Sequence, residues 1–309
     1  MQIGYDQPLY ILPFDHRASL MESMFDAGEP LDDAQTATMS DAKQLIFEGL
    51  MLAVTDGIPR ESAGVLVDEQ FGADILRQGR REQLVTALPV EASGRPEFDF
   101  EYGDDFAAHI EAFDPTFAKA LVRFNPAGDA AQHARELPRL KLLSEVVHAA
   151  GRRLMIELLV PPEPGQLAEV GGDEHAYARH LRPALMIESI AAFRDAGVDP
   201  DVWKLEGLDR EVDARRIVEV ARREGRPHVG CIVLGHGSDE ATVRSWLRLA
   251  ATVPGFTGFA VGRTTWWQPL LDFRAGQTTR LEAAQRIARD YEEWVDVFER
   301  ASALGARAR

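Results

Sequence analysis

Residues 196–209, AGVDPDVWKLEGLD, hold one complete strand with its punctuation on both sides. Ala196-Gly197 closes a helical segment, where glycine supplies the left-handed conformation of a helix C-cap. Val202–Glu206 is a short apolar run of strand type, and Asp209 stands where the next helix needs its N-cap. Lys204 lies inside that run. An ammonium is seldom taken out of water without a function, because burial disfavours its charged form and lowers its pKa. A lysine so treated is a nucleophile, and its main use is imine formation with a carbonyl compound. The plain alternative is a strand-end lysine whose head reaches water. On this run alone the two readings stand level.

The same unit recurs along the chain. Strand candidates are Leu9–Asp15, Gly64–Asp68, Leu84–Val90, Ala118–Phe124, Arg153–Val160, Val202–Glu206, Val229–Leu234 and Gly258–Val261, eight in all. Helical periodicity falls between them, at Asp33–Thr55, Phe71–Arg81, Asp105–Phe113, Asp129–Ala150, Glu174–Ala196, Asp209–Glu224 and Asp239–Thr252, and a last helix is expected over Thr278–Ala303. Continuous apolar strands alternating with helices imply a parallel sheet covered on both faces. Eight units closing on themselves predict an α/β fold of the (β/α)8 TIM-barrel type, a single domain over residues 1–309. A doubly wound open sheet is the alternative, but the turn after the first strand reads Pro13-Phe14-Asp15-His16-Arg17 and lacks the glycines of its phosphate fingerprint. Glu91–Gly103 and Pro161–Gly165 are expected to be loops at the C-terminal face of the barrel, where active sites are built. Met21–Pro59 reads as a helical hairpin or a helix capped by a loop.

Composition bounds the function. A formal net charge of −16 argues against a nucleic-acid or anionic-membrane partner, both of which need basic stripes. Cys231 is the one cysteine, so no disulfide framework or multi-cysteine metal site is expected. The N-terminus shows no secretory pattern, and no apolar stretch approaches the ~18 residues that span a bilayer. A cytoplasmic protein is expected.

Polar residues on buried strands are the informative exceptions. Alternation puts Val202, Lys204 and Glu206 on one side of the sixth strand, and Lys119, Leu121, Arg123 and Asn125 on one side of the fourth. Glu157 is a carboxylate inside an otherwise apolar fifth strand, and Asp15 and Arg17 follow Ile11 and Pro13 at the end of the first. Glu157 with Lys119 could be a structural ion pair, though such pairs add little stability. A cluster of this size on near-neighbouring strands fits a site better. The seventh strand runs through Gly235-His236-Gly237 into a helix, and the eighth through Gly262-Arg263. Glycine lets backbone N–H groups approach an anion, helix N-termini favour negative charge, and barrels often hold phosphate after these two strands.

The chemistry expected of these parts is an aldol cleavage. Lys204 attacks a ketone, loss of water leaves an iminium as electron sink, and Glu157 moves the protons. Lys119 lowers the pKa of Lys204 by repulsion or polarises a substrate oxygen, and Asp15 orients a hydroxyl or assists dehydration. Arg17, Arg123, Gly235, His236, Gly237, Gly262 and Arg263 are the candidate substrate- and phosphate-binding residues. No cofactor or metal enters this scheme.

Four segments carry a resemblance: residues 12–17 (LPFDHR), 154–159 (LMIELL), 202–206 (VWKLE) and 259–267 (FAVGRTTWW). Through them the chain resembles the class I, Schiff-base tagatose 1,6-bisphosphate aldolases. It resembles more closely the aldolase-like domain fused to 5-dehydro-2-deoxygluconokinase in bacterial inositol catabolism. The resemblance implies Lys204 as the imine lysine and Glu157 as the proton shuttle, with Lys119 and Asp15 at the other catalytic positions and Gly262 with Arg263 on the phosphate segment. It implies a substrate such as 6-phospho-5-dehydro-2-deoxygluconate or a ketose 1-phosphate or bisphosphate, cleaved to dihydroxyacetone phosphate and an aldehyde. Asn125-Pro126 and His236 depart from the tagatose enzyme's pattern at positions expected to line the pocket. The chain carries no kinase half, so any kinase partner is expected to be encoded elsewhere.

Two further readings remain. A metal-dependent aldolase or isomerase would use His16, Asp15, Asp68, Glu69 and His236, although no paired-histidine ligand spacing is present. A non-catalytic sugar-phosphate sensor would bind ligand without turnover. The histidines at 109, 133, 148, 175, 180 and 228 are read as surface or packing residues, and Trp266 and Trp267 as barrel wall or a homo-oligomer contact.

Overall fold

The computed structural model describes residues 2–25, 31–235 and 237–307. His236 and part of the segment between Met21 and Pro59 therefore lie outside the described residues. Eight parallel strands close into a barrel in sequence order: β1 Leu9–Pro13, β2 Ala63–Leu66, β3 Val85–Pro89, β4 Phe117–Arg123, β5 Arg153–Leu159, β6 Val202–Leu205, β7 Gly230–Leu234 and β8 Phe256–Ala260. Closure comes from β1 against β8, with Leu9 opposite Gly258 and Ile11 opposite Ala260. The backbones come so near that a Cβ on Gly258 would meet the Leu9 carbonyl oxygen. Apart from a few charged residues on β4, β5 and β6, the strands are apolar on both faces because both are covered. Leu9, Ile11, Ala87, Phe117, Met155, Val202 and Ile232 fill the barrel, while alternate residues such as Tyr10, Leu12, Ile156 and Trp203 pack under the helices.

The helical layer follows its caps. α1 is Ala18–Met24, α2 Asp33–Asp56, α3 Glu69–Arg81, α4 Phe106–Phe113 and α5 Ala130–Ala149. α6 is Pro164–Glu169, α7 Glu174–His180, α8 Arg182–Asp195, α9 Glu211–Ala221, α10 Glu240–Ala251, α11 Arg263–Arg274 and α12 Arg280–Arg307. Asp32, Asp68, Asp129 and Asp239 accept hydrogen bonds from the first turns of α2, α3, α5 and α10, satisfying donors that have no intrahelical partner. Glu174–Ala196, expected as one helix, is two. The chain breaks at Leu181, and Pro183 sits in the first turn of α8, where its missing N–H costs nothing. α1 is not among the expected elements, and α6 begins inside a stretch expected to be loop.

α12 closes the outside of the barrel. Tyr291 Oη donates to the Tyr10 carbonyl at 2.6 Å, and Trp294 Nε1 to Thr265 Oγ1 at 3.1 Å. Trp266 is wholly buried in the wall, with Nε1 donating to the Pro13 carbonyl at 3.0 Å. Among the described residues no helix is long and apolar enough to cross a membrane.

Candidate active site

Alternation along the strands sets the floor of a cleft at the C-terminal end of the barrel. Continuing the inward series Met155 and Val202 gives Glu157 and Lys204, which lie opposite each other in the β5–β6 register. Phe117 leads to Lys119, and Leu9, Ile11 and Pro13 lead to Asp15 just past the strand. The four residues meet. Lys204 Nζ is 2.7 Å from Glu157 Oε1, and Lys119 Nζ is 2.8 Å from Glu157 Oε2 and 2.8 Å from Asp15 Oδ2. A fifth residue joins them: Glu91 Oε1 lies 2.7 Å from Lys119 Nζ. Lys119 thus directs all of its donors at carboxylates.

Electrostatics follow from that arrangement. Burial opposes the charge on Lys119, but Asp15, Glu157 and Glu91 outweigh it and hold the amine well above its usual range. Burial also works to raise Asp15; Lys119, Lys204 and His16 overcome it and hold the carboxyl below the ordinary carboxylate range. Glu157 is lowered in the same way, burial being outweighed by Lys119 and Lys204. Glu91 goes the other way: burial pushes it up, and Lys119 and Arg17 do not fully offset that. With three carboxylates around it, Lys119 is a poor source of net repulsion on Lys204; the structure makes it a clamp on Asp15, Glu91 and Glu157.

The cleft holds about 520 Å³, the size of a small-molecule pocket. Arg17, Arg123, Gly235, Gly237, Gly262 and Arg263 all line it. Their polar atoms are not equally available. Arg17 is 6% exposed and spans the loop after β3, with Nη2 on the Glu91 carbonyl at 2.6 Å and Nη1 2.9 Å from Glu101 Oε2. Arg263 turns to α1, donating to Ser23 Oγ at 2.8 Å, with its guanidinium over the Trp267 ring. Arg123 is exposed on the rim and reaches the Arg95 carbonyl at 3.3 Å. Gly262 passes against Pro13, where a Cβ would meet the Pro13 carbonyl oxygen, so the glycine lets α11 begin at the cleft wall.

Three expectations need correction. Asn125 does not line the cleft. It is buried and binds the loop after β5, donating to the Pro161 carbonyl at 2.8 Å and Gln166 Oε1 at 2.6 Å. Glu206 lies one residue past β6 and leaves the inward series, accepting from the Val160 N–H at 3.0 Å and pairing with Arg182 at 3.0 Å. The carboxylates considered as metal ligands are dispersed: Asp68 pairs with buried Lys43, and Glu69 binds His109 Nδ1 at 2.8 Å. Among the described residues no group of three or more histidine, cysteine or carboxylate side chains is arranged to hold a metal ion. His236 lies outside those residues.

Glu91 is a site residue that the sequence reasoning misses. It falls at the start of an expected loop, yet Val85, Ala87, Pro89 and Glu91 continue one period-two series, and Val85 and Ala87 face the barrel interior. His16 also lines the cleft, with its ring edge-on to Trp266 and a buried Nδ1 that has no hydrogen-bond partner among the described residues. Burial pulls the imidazole down to about 4, so at neutral pH it is uncharged.

The fold that carries this lysine–carboxylate cluster is a (β/α)8 barrel, and aldolases are among the solved structures that share it. The fructose-bisphosphate aldolase of Plasmodium falciparum superposes with a TM-score of 0.64 at 14% identity, covering 96% of this chain and 91% of that one. Cgl0159 from Corynebacterium glutamicum gives 0.57 at 20%, covering 95% and 88%. The YdjI aldolase from Escherichia coli K12 gives 0.52 at 12%, covering 82% and 87%. At such identities the likeness is one of fold. No curated protein matches the sequence. The chain belongs to the DUF2090 family, described as an uncharacterized protein conserved in bacteria, whose model matches residues 4–302.

Proposed function

We propose that the protein is a class I aldolase that cleaves a phosphorylated ketose or deoxy-keto sugar acid through an imine on Lys204. The observation that carries this reading is the 2.7 Å contact between Lys204 Nζ and Glu157 Oε1 on the floor of a cleft of about 520 Å³. Glu157 bridges the nucleophile and Lys119, so it can take a proton from the amine and return it to the carbinolamine oxygen, which leaves as water. The resulting iminium accepts the electron pair of the adjacent carbon–carbon bond. Glu157 or Asp15 removes the proton of the departing hydroxyl, an aldehyde leaves, and protonation of the enamine carbon followed by hydrolysis frees Lys204.

The substrate's phosphate would lie against Gly235, Gly237 and the start of α11, where unpaired helix N–H groups and close backbone favour an anion. Arg263 supplies positive charge there through its position, while its Nη2 donates to the Ser19 carbonyl and Ser23 Oγ of α1. A product such as dihydroxyacetone phosphate fits this end of the cleft. The experiment is a screen of phosphorylated ketoses and deoxy-keto acids for aldehyde release, run with and without a chelator. Release that survives the chelator and disappears in Lys204→Ala supports the proposal; release abolished by the chelator and restored by a divalent ion would contradict it.

A further inference from the structure

The cluster on the cleft floor contains two lysines and three acidic side chains, Lys119 and Lys204 against Asp15, Glu91 and Glu157. All five side chains are largely withdrawn from water, so a net negative charge there is costly. Arg17 acts on Glu91 but brings Glu101 with it, 2.9 Å from its guanidinium, so the pair adds no net charge to the cluster. One carboxyl is best placed to carry a proton. Glu157 divides its oxygens between the two lysines, whereas Asp15 and Glu91 each pair with Lys119; of these two, Glu91 is the one with a buried oxygen, Oε2, that has no hydrogen-bond partner among the described residues.

We propose that Glu91 is a positioning residue that enters the reaction as a neutral carboxylic acid, leaving two ammonium groups facing two carboxylates. The groups facing it are Lys119 from β4, Asp15 and Arg17 from the end of β1, and Glu101, through Arg17, from its own loop. Burial raises its proton affinity, in keeping with this state. The consequence for catalysis rests on the imine reading above. When Lys204 as an ammonium meets a ketone, a carbon–nitrogen bond forms and the carbon–oxygen bond breaks. Two of the ammonium's three protons leave with that oxygen as water, so the positive charge passes unchanged to the iminium. A cluster balanced at rest therefore stays balanced, and Glu157 remains ionised to act as base. An ionised Glu91 would compete for a proton within the cluster and draw it from the groups that need it.

Two measurements on the full chain test this. Infrared difference spectra of the unliganded protein at neutral pH, wild type against Glu91→Gln, should contain the carbonyl stretch of one protonated carboxyl group in the wild type. The rate of borohydride-trapped adduct formation with dihydroxyacetone phosphate should fall about ten- to hundredfold in Glu91→Ala, which leaves a Lys119 donor unpaired. Glu91→Gln, a permanently neutral mimic, should recover most of that loss and move the high-pH decline of the rate upward. A missing carboxyl band, or a glutamine variant as impaired as the alanine one, overturns the proposal. Should wild type form no adduct with any ketose phosphate while the band is present, the imine reading fails and the protonated Glu91 stands.

Discussion

Glu157 touches both lysines of the site, and its replacement separates proton transfer from binding. Glu157→Gln is expected to lower kcat by about 10²–10⁴-fold with a much smaller change in KM, measured by steady-state aldehyde release. An equal loss in both would mean that the residue serves binding. His16 gives a second expectation, on stability. Its folded value of about 4 lies below the ordinary value of 6.5, so the unfolded chain binds the extra proton between these limits. The stabilisation is present above pH 6.5 and is lost as the pH falls towards 4. Chemical denaturation across that window should show a shallower decline for His16→Asn than for wild type. Asp15, Lys119, Glu157 and Lys204 were legible because a charge in an apolar, period-two run is costly to bury and packing alone does not put it there. Glu91 was not, since β3 ends at Pro89 and the inward series must be carried past the strand to reach it.

Strand and loop geometry decide how firmly those side chains are held. The ties between the loop after β3 and the rest of the barrel include Arg17 on the Glu91 carbonyl, Arg17 on Glu101, Glu136 on the Phe98 N–H, and Arg135 on Glu97. Arg17→Met removes the first two. It should speed amide hydrogen exchange over residues 92–101 and raise KM, with exchange in β4 and β5 unchanged; unaltered loop exchange would show that Arg17 does not fasten it. At the barrel seam, Gly258→Ala should cost about 1–3 kcal/mol in denaturant unfolding, because its Cβ has only the Leu9 backbone to displace. The strands were readable in outline since a doubly covered strand is a continuous apolar run. The break between α7 and α8 was not, because Pro183 falls at a first-turn position where proline is compatible with helix.

Over the whole molecule a net charge of −16 contrasts with a cleft whose rim carries Arg95, Arg123 and Arg263. The field of the exterior repels an anionic substrate, and the rim must offset it locally. Added salt screens rim charges over about 10 Å at 0.1 M, so KM for a phosphorylated ketose should rise with ionic strength and the slope should flatten in Arg123→Gln. The barrel itself followed from the spacing of eight strands and their glycine and aspartate punctuation; the closing contacts of α12 on Tyr10 and Thr265 are long-range and left no local pattern. The central claim is the nucleophile. Borohydride reduction with dihydroxyacetone phosphate, followed by peptide mass spectrometry, should place one reduced adduct on Lys204 and none in Lys204→Ala. An adduct on Lys119 or Lys43 instead, or an unchanged yield in Lys204→Ala, would contradict it.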